Sequence, residues 1–123
     1  LNPDGAHRLH GQVVHVECTT LDKYAVENKL SKIDVIKIDV EGFEDKVLEG
    51  GRMIIERDHP TFICECLPGC NATAMEQLLK SSGYSLYLLT DQGPVKKVHI
   101  EPDEHVIFKN YLFITNEKEI EGC

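Results

Sequence analysis

Apolar and polar positions along this chain change period repeatedly, and each change marks an element. The pattern is plainest from Ile33 to Gly51. Ile33, Val35, Ile36, Ile38 and Val40 make a nearly continuous apolar run, interrupted by Asp34, Lys37 and Asp39. Such a run fits a strand covered on both faces. Ile36, Ile38 and Val40 fall on one face, and Val35, Lys37 and Asp39 on the other. Gly42 then permits a turn. Glu41, Glu44 and Asp45 follow where negative charge suits a helix N-terminus. Phe43, Val47 and Leu48 continue as a helical stripe. Gly50-Gly51 ends or kinks that helix. Arg52 to Arg57 reads as a second short helical piece, stopped by His59-Pro60.

The same reading extends to both ends. Residues 1–11 hold Pro3-Asp4-Gly5 and Gly11, turn chemistry that predicts a loose arm. Gln12 to Cys18, with Val13, Val14 and Val16, predicts a strand. Thr20 or Asp22 caps a helix over Lys23–Leu30. Thr61 to Cys66 predicts a second buried strand, closed by Pro68-Gly69. Thr73-Ala74-Met75-Glu76 matches a capping box and opens a helix that ends before Gly83. Tyr84 to Thr90 predicts a strand, Asp91-Gln92-Gly93-Pro94 a turn, and Val95 to Ile100 its antiparallel return. Tyr111 to Thr115 is a last strand. Strands alternating with helices argue for an α/β fold with a mostly parallel sheet, helices on its faces and an antiparallel edge.

Composition narrows the functional classes. A chain of 123 residues predicts a single domain. Its 21 acids against 13 bases give a formal charge of −8, which disfavours a phosphate backbone as partner. No apolar run approaches the roughly 20 residues of a membrane span. The start carries no signal-peptide pattern, since Asp4, His7 and Arg8 interrupt it. Five cysteines without secretory features predict reduced thiols and a cytoplasmic setting. Cys64, Cys66 and Cys70 fall short of the two spaced pairs that a structural zinc site wants. Cys64 and Cys66 read instead as small buried residues on one strand face. The six histidines show no ligand spacing; His59, just before a strand, is the least negligible. Asn71-Ala72-Thr73 is formally a glycosylation sequon and reads here as loop and cap.

The candidate chemistry lies in carboxylates at strand ends. Asp39, Glu41 and Glu65 are placed to form a cluster, where a carboxylate near a hydroxyl serves as general base or as an oxygen ligand to a divalent cation. The structural alternative is that Glu41 and Glu44 serve the helix N-terminus. Lys37 then pairs with Asp39 or with an acid of the next strand, as buried charges normally do.

The segment Lys37-Ile38-Asp39-Val40-Glu41-Gly42-Phe43-Glu44 resembles the FkbM family of S-adenosylmethionine-dependent methyltransferases. Thr20-Leu21-Asp22, Val47-Leu48-Glu49-Gly50-Gly51, Pro60 to Glu65, Gly83-Tyr84 and Asn110 to Phe113 extend the resemblance over about residues 17–116 as an order of elements. It implies a Rossmann-like methyltransferase fold, with Ile36–Val40 as the family's fourth strand and Thr61–Cys66 as its fifth. It also implies methyl transfer from S-adenosylmethionine to an oxygen of a sugar, lipid or small metabolite. Lys37, Asp39, Glu41 and Glu65 would then be the catalytic candidates, with no resident metal.

One departure from that family shapes the expectation. No Gly-x-Gly-type turn precedes residue 33, so the chain reads as the C-terminal half of a class I methyltransferase fold, inactive without the missing half. An unpaired sheet edge would follow, inviting a homo-oligomer. Two other readings stand beside this one. The chain is a non-catalytic binding or oligomerising module, or Ile33 to Asp39 is a strand similar to those of EAL-type cyclic-dinucleotide phosphodiesterases, whose metal-dependent barrel needs about twice this length.

Overall fold

The computed structural model describes residues 6–9, 11–105 and 107–122. The chain opens on a hairpin of β1 (Ala6–Leu9) and β2 (Gln12–His15). Leu9 lies opposite Gln12, so two residues connect the strands, and Gly11 takes the positive φ of 77° that such a turn favours. The expected loose arm over residues 1–11 thus contains a paired strand and the turn residue Gly11, and positions 1–5 and 10 lie outside the described residues. β2 ends before Cys18 and stays with β1 as a separate two-stranded sheet. Val13, Val14 and Val16 are exposed.

The main sheet has five strands: β3 (Val35–Ile38), β4 (Thr61–Glu65), β5 (Tyr84–Thr90), β6 (Gly93–Lys97) and β7 (Asn110–Thr115). Their order across the sheet is β3-β4-β7-β5-β6. Only β3 and β4 run parallel; the three other pairings are antiparallel. The expected mostly parallel sheet is therefore wrong. The last strand returns into the middle of the sheet, between β4 and β5, and so turns what would be one parallel pair into two antiparallel ones. β6 starts two residues earlier than expected. Pro94 is tolerated there because β6 is an edge strand, where a missing N–H costs no ladder bond.

Among the described residues, α1 (Leu21–Glu27) precedes this sheet, α2 (Glu44–Glu49) and α3 (Arg52–Asp58) link β3 to β4, and α4 (Ala72–Ser81) links β4 to β5. Leu48, Ile55, Met75 and Leu79 of α2, α3 and α4 join one core cluster with Ile38, Phe62, Cys64, Tyr84, Leu86, Tyr111 and Phe113. These strand residues share one face by alternation. The helical layer thus covers that face, not both. On the other face the segment after β7 reaches back: the Ile120 N–H donates to the hydroxyl of the fully buried Tyr87 at 3.3 Å. No helix among the described residues is long and apolar enough to cross a membrane.

Capping differs from expectation in one helix and gains a long-range form in another. Thr20 caps α1 by accepting from the Lys23 N–H at 3.1 Å. Asp22, the other candidate, instead caps α3 from a distance. Its carboxylate accepts from the Met53 and Ile54 N–H groups at 2.9 and 3.0 Å. The approach is close, and glycine is what allows it: a Cβ on Gly50 would lie 3.1 Å from Thr20 Cβ, and one on Gly51 3.0 Å from Leu21 Cδ1. α4 is capped by Asn71, which accepts from the Ala74 N–H, not by Thr73. Glu76 is drawn away from the expected box to the Ile100 N–H, His99 and Lys80.

Candidate functional site

The β3–β4 pair places the acids. Ile38 lies opposite Cys64 in the parallel register, so Asp39 and Glu65 follow at the same end of the sheet. β7, running the other way, sets Asn110 opposite Glu65. By alternation Lys37, Asp39, Glu65 and Asn110 belong to the face away from the helices. Lys37 sits opposite Ile63, two residues before Asp39.

β3 is an edge strand with β4 as its only partner among the described residues, which corrects the expectation of a strand covered on both faces. Val35 is 59% exposed, and Lys37 and Asp39 are exposed as well. Lys37 forms no ion pair among the described residues. Water solvates it on the open face, so the carboxylate partner that burial would have demanded is not needed.

Glu65 has the protein partner that Lys37 lacks. Its side chain keeps 13% of its accessible surface and meets Lys109 Nζ at 3.6 Å. The Cys66 N–H donates to the Lys109 carbonyl at 2.7 Å, which fixes the start of β7 against the end of β4. Beside it, Asn110 Oδ1 is buried and has no hydrogen-bond partner among the described residues.

The turn from β3 into α2 carries Glu41 and is held from within. Glu41 and Gly42 take φ of 51° and 102°. The first is a left-handed conformation that costs a residue with a side chain about 1 kcal/mol. Glu44 is 1% exposed, and its two carboxylate oxygens accept from the Gly42 N–H at 3.2 and 3.1 Å. The exposed Glu41 therefore rests on a turn pinned by a buried acid. Asp45, next in sequence, accepts from Asn71 Nδ2 at 3.2 Å and joins this turn's helix to the start of α4.

Three residues of this region escape a reading of the sequence. Glu44 appears there only as one of several acids suited to a helix N-terminus; its spacing of two from a turn glycine was the available signal. Lys109 and Asn110 sit beside Glu65 because β7 inserts next to β4, and no local pattern encodes that placement. His59 lies elsewhere. It lines a cleft of about 430 Å³ with Lys32, Asp58, Gly83, Asn116 and Lys118, at the opposite end of the sheet. Among the described residues no three His, Cys, Asp or Glu side chains are grouped to hold a metal ion.

An α/β sheet whose parallel strands end in acids, followed by a glycine turn and a helix, is a common frame for ligand sites at strand carboxyl ends. The particular family is also defined: the description Methyltransferase FkbM domain matches residues 3–86, and the chain belongs to that family. The match takes in the hairpin, β3, the Glu41-Gly42 turn, β4 and α4, and ends within β5. No curated protein matches the chain, and no solved structure does.

Proposed function

We propose that this chain forms the C-terminal portion of an S-adenosylmethionine-dependent O-methyltransferase, whose donor-binding portion lies outside these residues. The feature that carries the reading is the position of Asp39, Glu41 and Glu65 at or just after the carboxyl ends of the neighbouring parallel strands β3 and β4, within the span of the family match. Carboxylates there suit a cationic sulfonium and a hydroxyl acceptor alike.

The described residues do not fit the whole donor. A donor of this kind carries an amino-acid end that wants backbone N–H groups from a glycine-rich turn. The one described glycine before β3 is Gly11, in the hairpin turn. On the acceptor side, Glu65 takes up the hydroxyl proton, its largely buried position and its Lys109 neighbour holding the carboxylate in one orientation. Asp39 and Glu41 orient the acceptor, a sugar, lipid or small-molecule alcohol. Lys37 lies near enough in register to contact an acceptor's polar group.

The test uses the protein extended by its upstream sequence, with a radiolabelled methyl donor and a panel of hydroxyl acceptors. Glu65→Gln is expected to lower turnover by about 10²- to 10⁴-fold with donor affinity unchanged, the span of a lost general base. Unchanged turnover in Glu65→Gln would remove Glu65 from the chemistry.

A second reading has its own observation. The unpaired β3 edge, with Val35 exposed, suits a binding or oligomerising module. The phosphodiesterase reading finds no comparable support, because the chain forms an open mixed sheet and not a barrel.

A further inference from the structure

The segment Cys66-Leu67-Pro68-Gly69-Cys70 leaves β4 just after Glu65 and is closed by a tight turn. The Cys70 N–H donates to the Leu67 carbonyl at 3.0 Å. Pro68 supplies the fixed φ of the first central position, and Gly69 the positive φ, 96°, of the second. This is the chemistry of a type II turn, which brings its ends to within about 7 Å between Cα atoms. Cys70 is the last residue of that turn and Cys66 directly precedes its first, and Cys70 packs against the core cluster to which Cys66 belongs.

Both thiols are free and face the same core. Cys66 is 1% exposed, whereas Cys70 is half-buried and packs against the cluster that contains Cys66. The Cys66 thiol donates to the Cys64 carbonyl at 3.8 Å, and the Cys66 and Cys70 side chains are near enough for each to influence the other's ionisation. Burial pushes both thiols up, Cys66 further, while the Cys66 thiol favours the thiolate of Cys70. The two cysteines are thus unequal: one is reachable and the other is sheltered behind it.

We infer that Cys66 and Cys70 form a reversible dithiol–disulfide site, with a low-molecular-weight disulfide such as oxidised glutathione as the oxidant. The Cys70 thiolate attacks one sulfur of oxidised glutathione, and glutathione thiolate leaves. Cys66, after giving up its proton, attacks the Cys70 sulfur of the mixed disulfide and expels the second glutathione. Two protein thiols are oxidised and one oxidised glutathione is reduced to two glutathione molecules, so electrons and protons balance. The product staples the turn that separates Glu65 from the Asn71 cap of α4. The inference does not depend on the proposed methyl transfer.

The experiment incubates the folded chain with oxidised glutathione, alkylates the remaining thiols and reads the tryptic peptide from Asp58 to Lys80, which holds Cys64, Cys66 and Cys70. The expected product has lost two hydrogens, carries no glutathione, is alkylated at Cys64 alone, and reverts on addition of a reductant. Cys70→Ser should leave Cys66 unreacted, and its circular dichroism serves to show that it is folded. A mixed disulfide that persists on Cys70, a bridge that includes Cys64, or a peptide fully alkylated after treatment would each overturn the inference. A trivalent arsenical, phenylarsine oxide, gives an independent arm. It should bind the reduced chain and lose that binding in Cys70→Ser; equal binding to both proteins through this peptide would contradict the pairing.

Discussion

Single side chains that hold distant backbone together govern much of this chain's stability. Asp22 accepts from two N–H groups at the start of α3, more than 30 residues away in sequence. Asp22→Ala leaves both donors without that partner and is expected to cost about 1–2 kcal/mol, as lost caps do, readable as a lower urea midpoint at unchanged slope. Asp22→Asn should recover most of it. Tyr111 works the same way within the sheet. Its hydroxyl donates to the Glu101 carbonyl at 2.9 Å and accepts from the Glu101 N–H at 3.0 Å. Tyr111→Phe should cost about 0.5–1.5 kcal/mol, because two part-buried hydrogen bonds to the Glu101 backbone are lost, with faster amide exchange at Glu101.

Acid sensitivity also belongs to particular residues. The Arg57 guanidinium, 2.7 Å away, holds the Asp58 carboxyl below its usual range against the opposing effect of burial. Burial alone would raise Glu76, but the His99 ring, the Ile100 N–H and Lys80 outweigh it and lower the value. A lowered folded-state value means that the unfolded chain binds protons first. Stability from both groups is therefore complete above the ordinary carboxylate range and falls as pH drops through the depressed folded values. Thermal midpoints are expected to decline below about pH 4, and Glu76→Gln should flatten that decline. An unchanged acid limb in Glu76→Gln would refute its part in it.

At the scale of elements, β3 is the exposed member. Among the described residues it pairs through one edge only, and its first residue, Val35, is exposed. Strand edges of this kind template further pairing. Concentrated samples are expected to self-associate in sedimentation velocity, and Val35→Lys should reduce that without lowering the melting temperature. A monomer at every concentration would show that the edge is protected in solution.

The elements also show what local pattern can and cannot encode. The run Ile33 to Val40, the acids after Gly42 and the Gly50-Gly51 break were all readable, because period and turn chemistry are local properties. Ile36, Ile38 and Val40 do face the core, as their alternation implied. Strand order was not readable. An apolar strand looks the same whether it runs parallel or antiparallel, and β7 finds its place only through long-range pairing. The same blindness applies to Lys109 and Asn110, which acquire their meaning from Glu65 across that pairing. It applies to Glu44 for a different reason: burial of one acid among several depends on the core beneath α2. The positions of Asp39, Glu41 and Glu65 at a sheet end followed directly from strand boundaries.

For the whole molecule, one core ties the helical layer to the sheet. Leu48, fully buried between β3's face and the helices, should cost about 2–5 kcal/mol when cut to alanine, by lost burial and the cavity left behind. The opposite face is incompletely covered. Large apolar side chains are exposed along the whole chain, from Val13, Val14 and Val16 through Val26 and Val35 to Val98 and Ile107.

The central claim is that this chain contributes the acid-bearing wall of a methyltransferase site and not the donor cradle. Isothermal titration with S-adenosylhomocysteine tests it most directly. The chain of 123 residues should give no saturable heat, and the same chain supplied with its upstream sequence should bind one equivalent. Saturable, stoichiometric binding by the 123 residues alone would contradict the account.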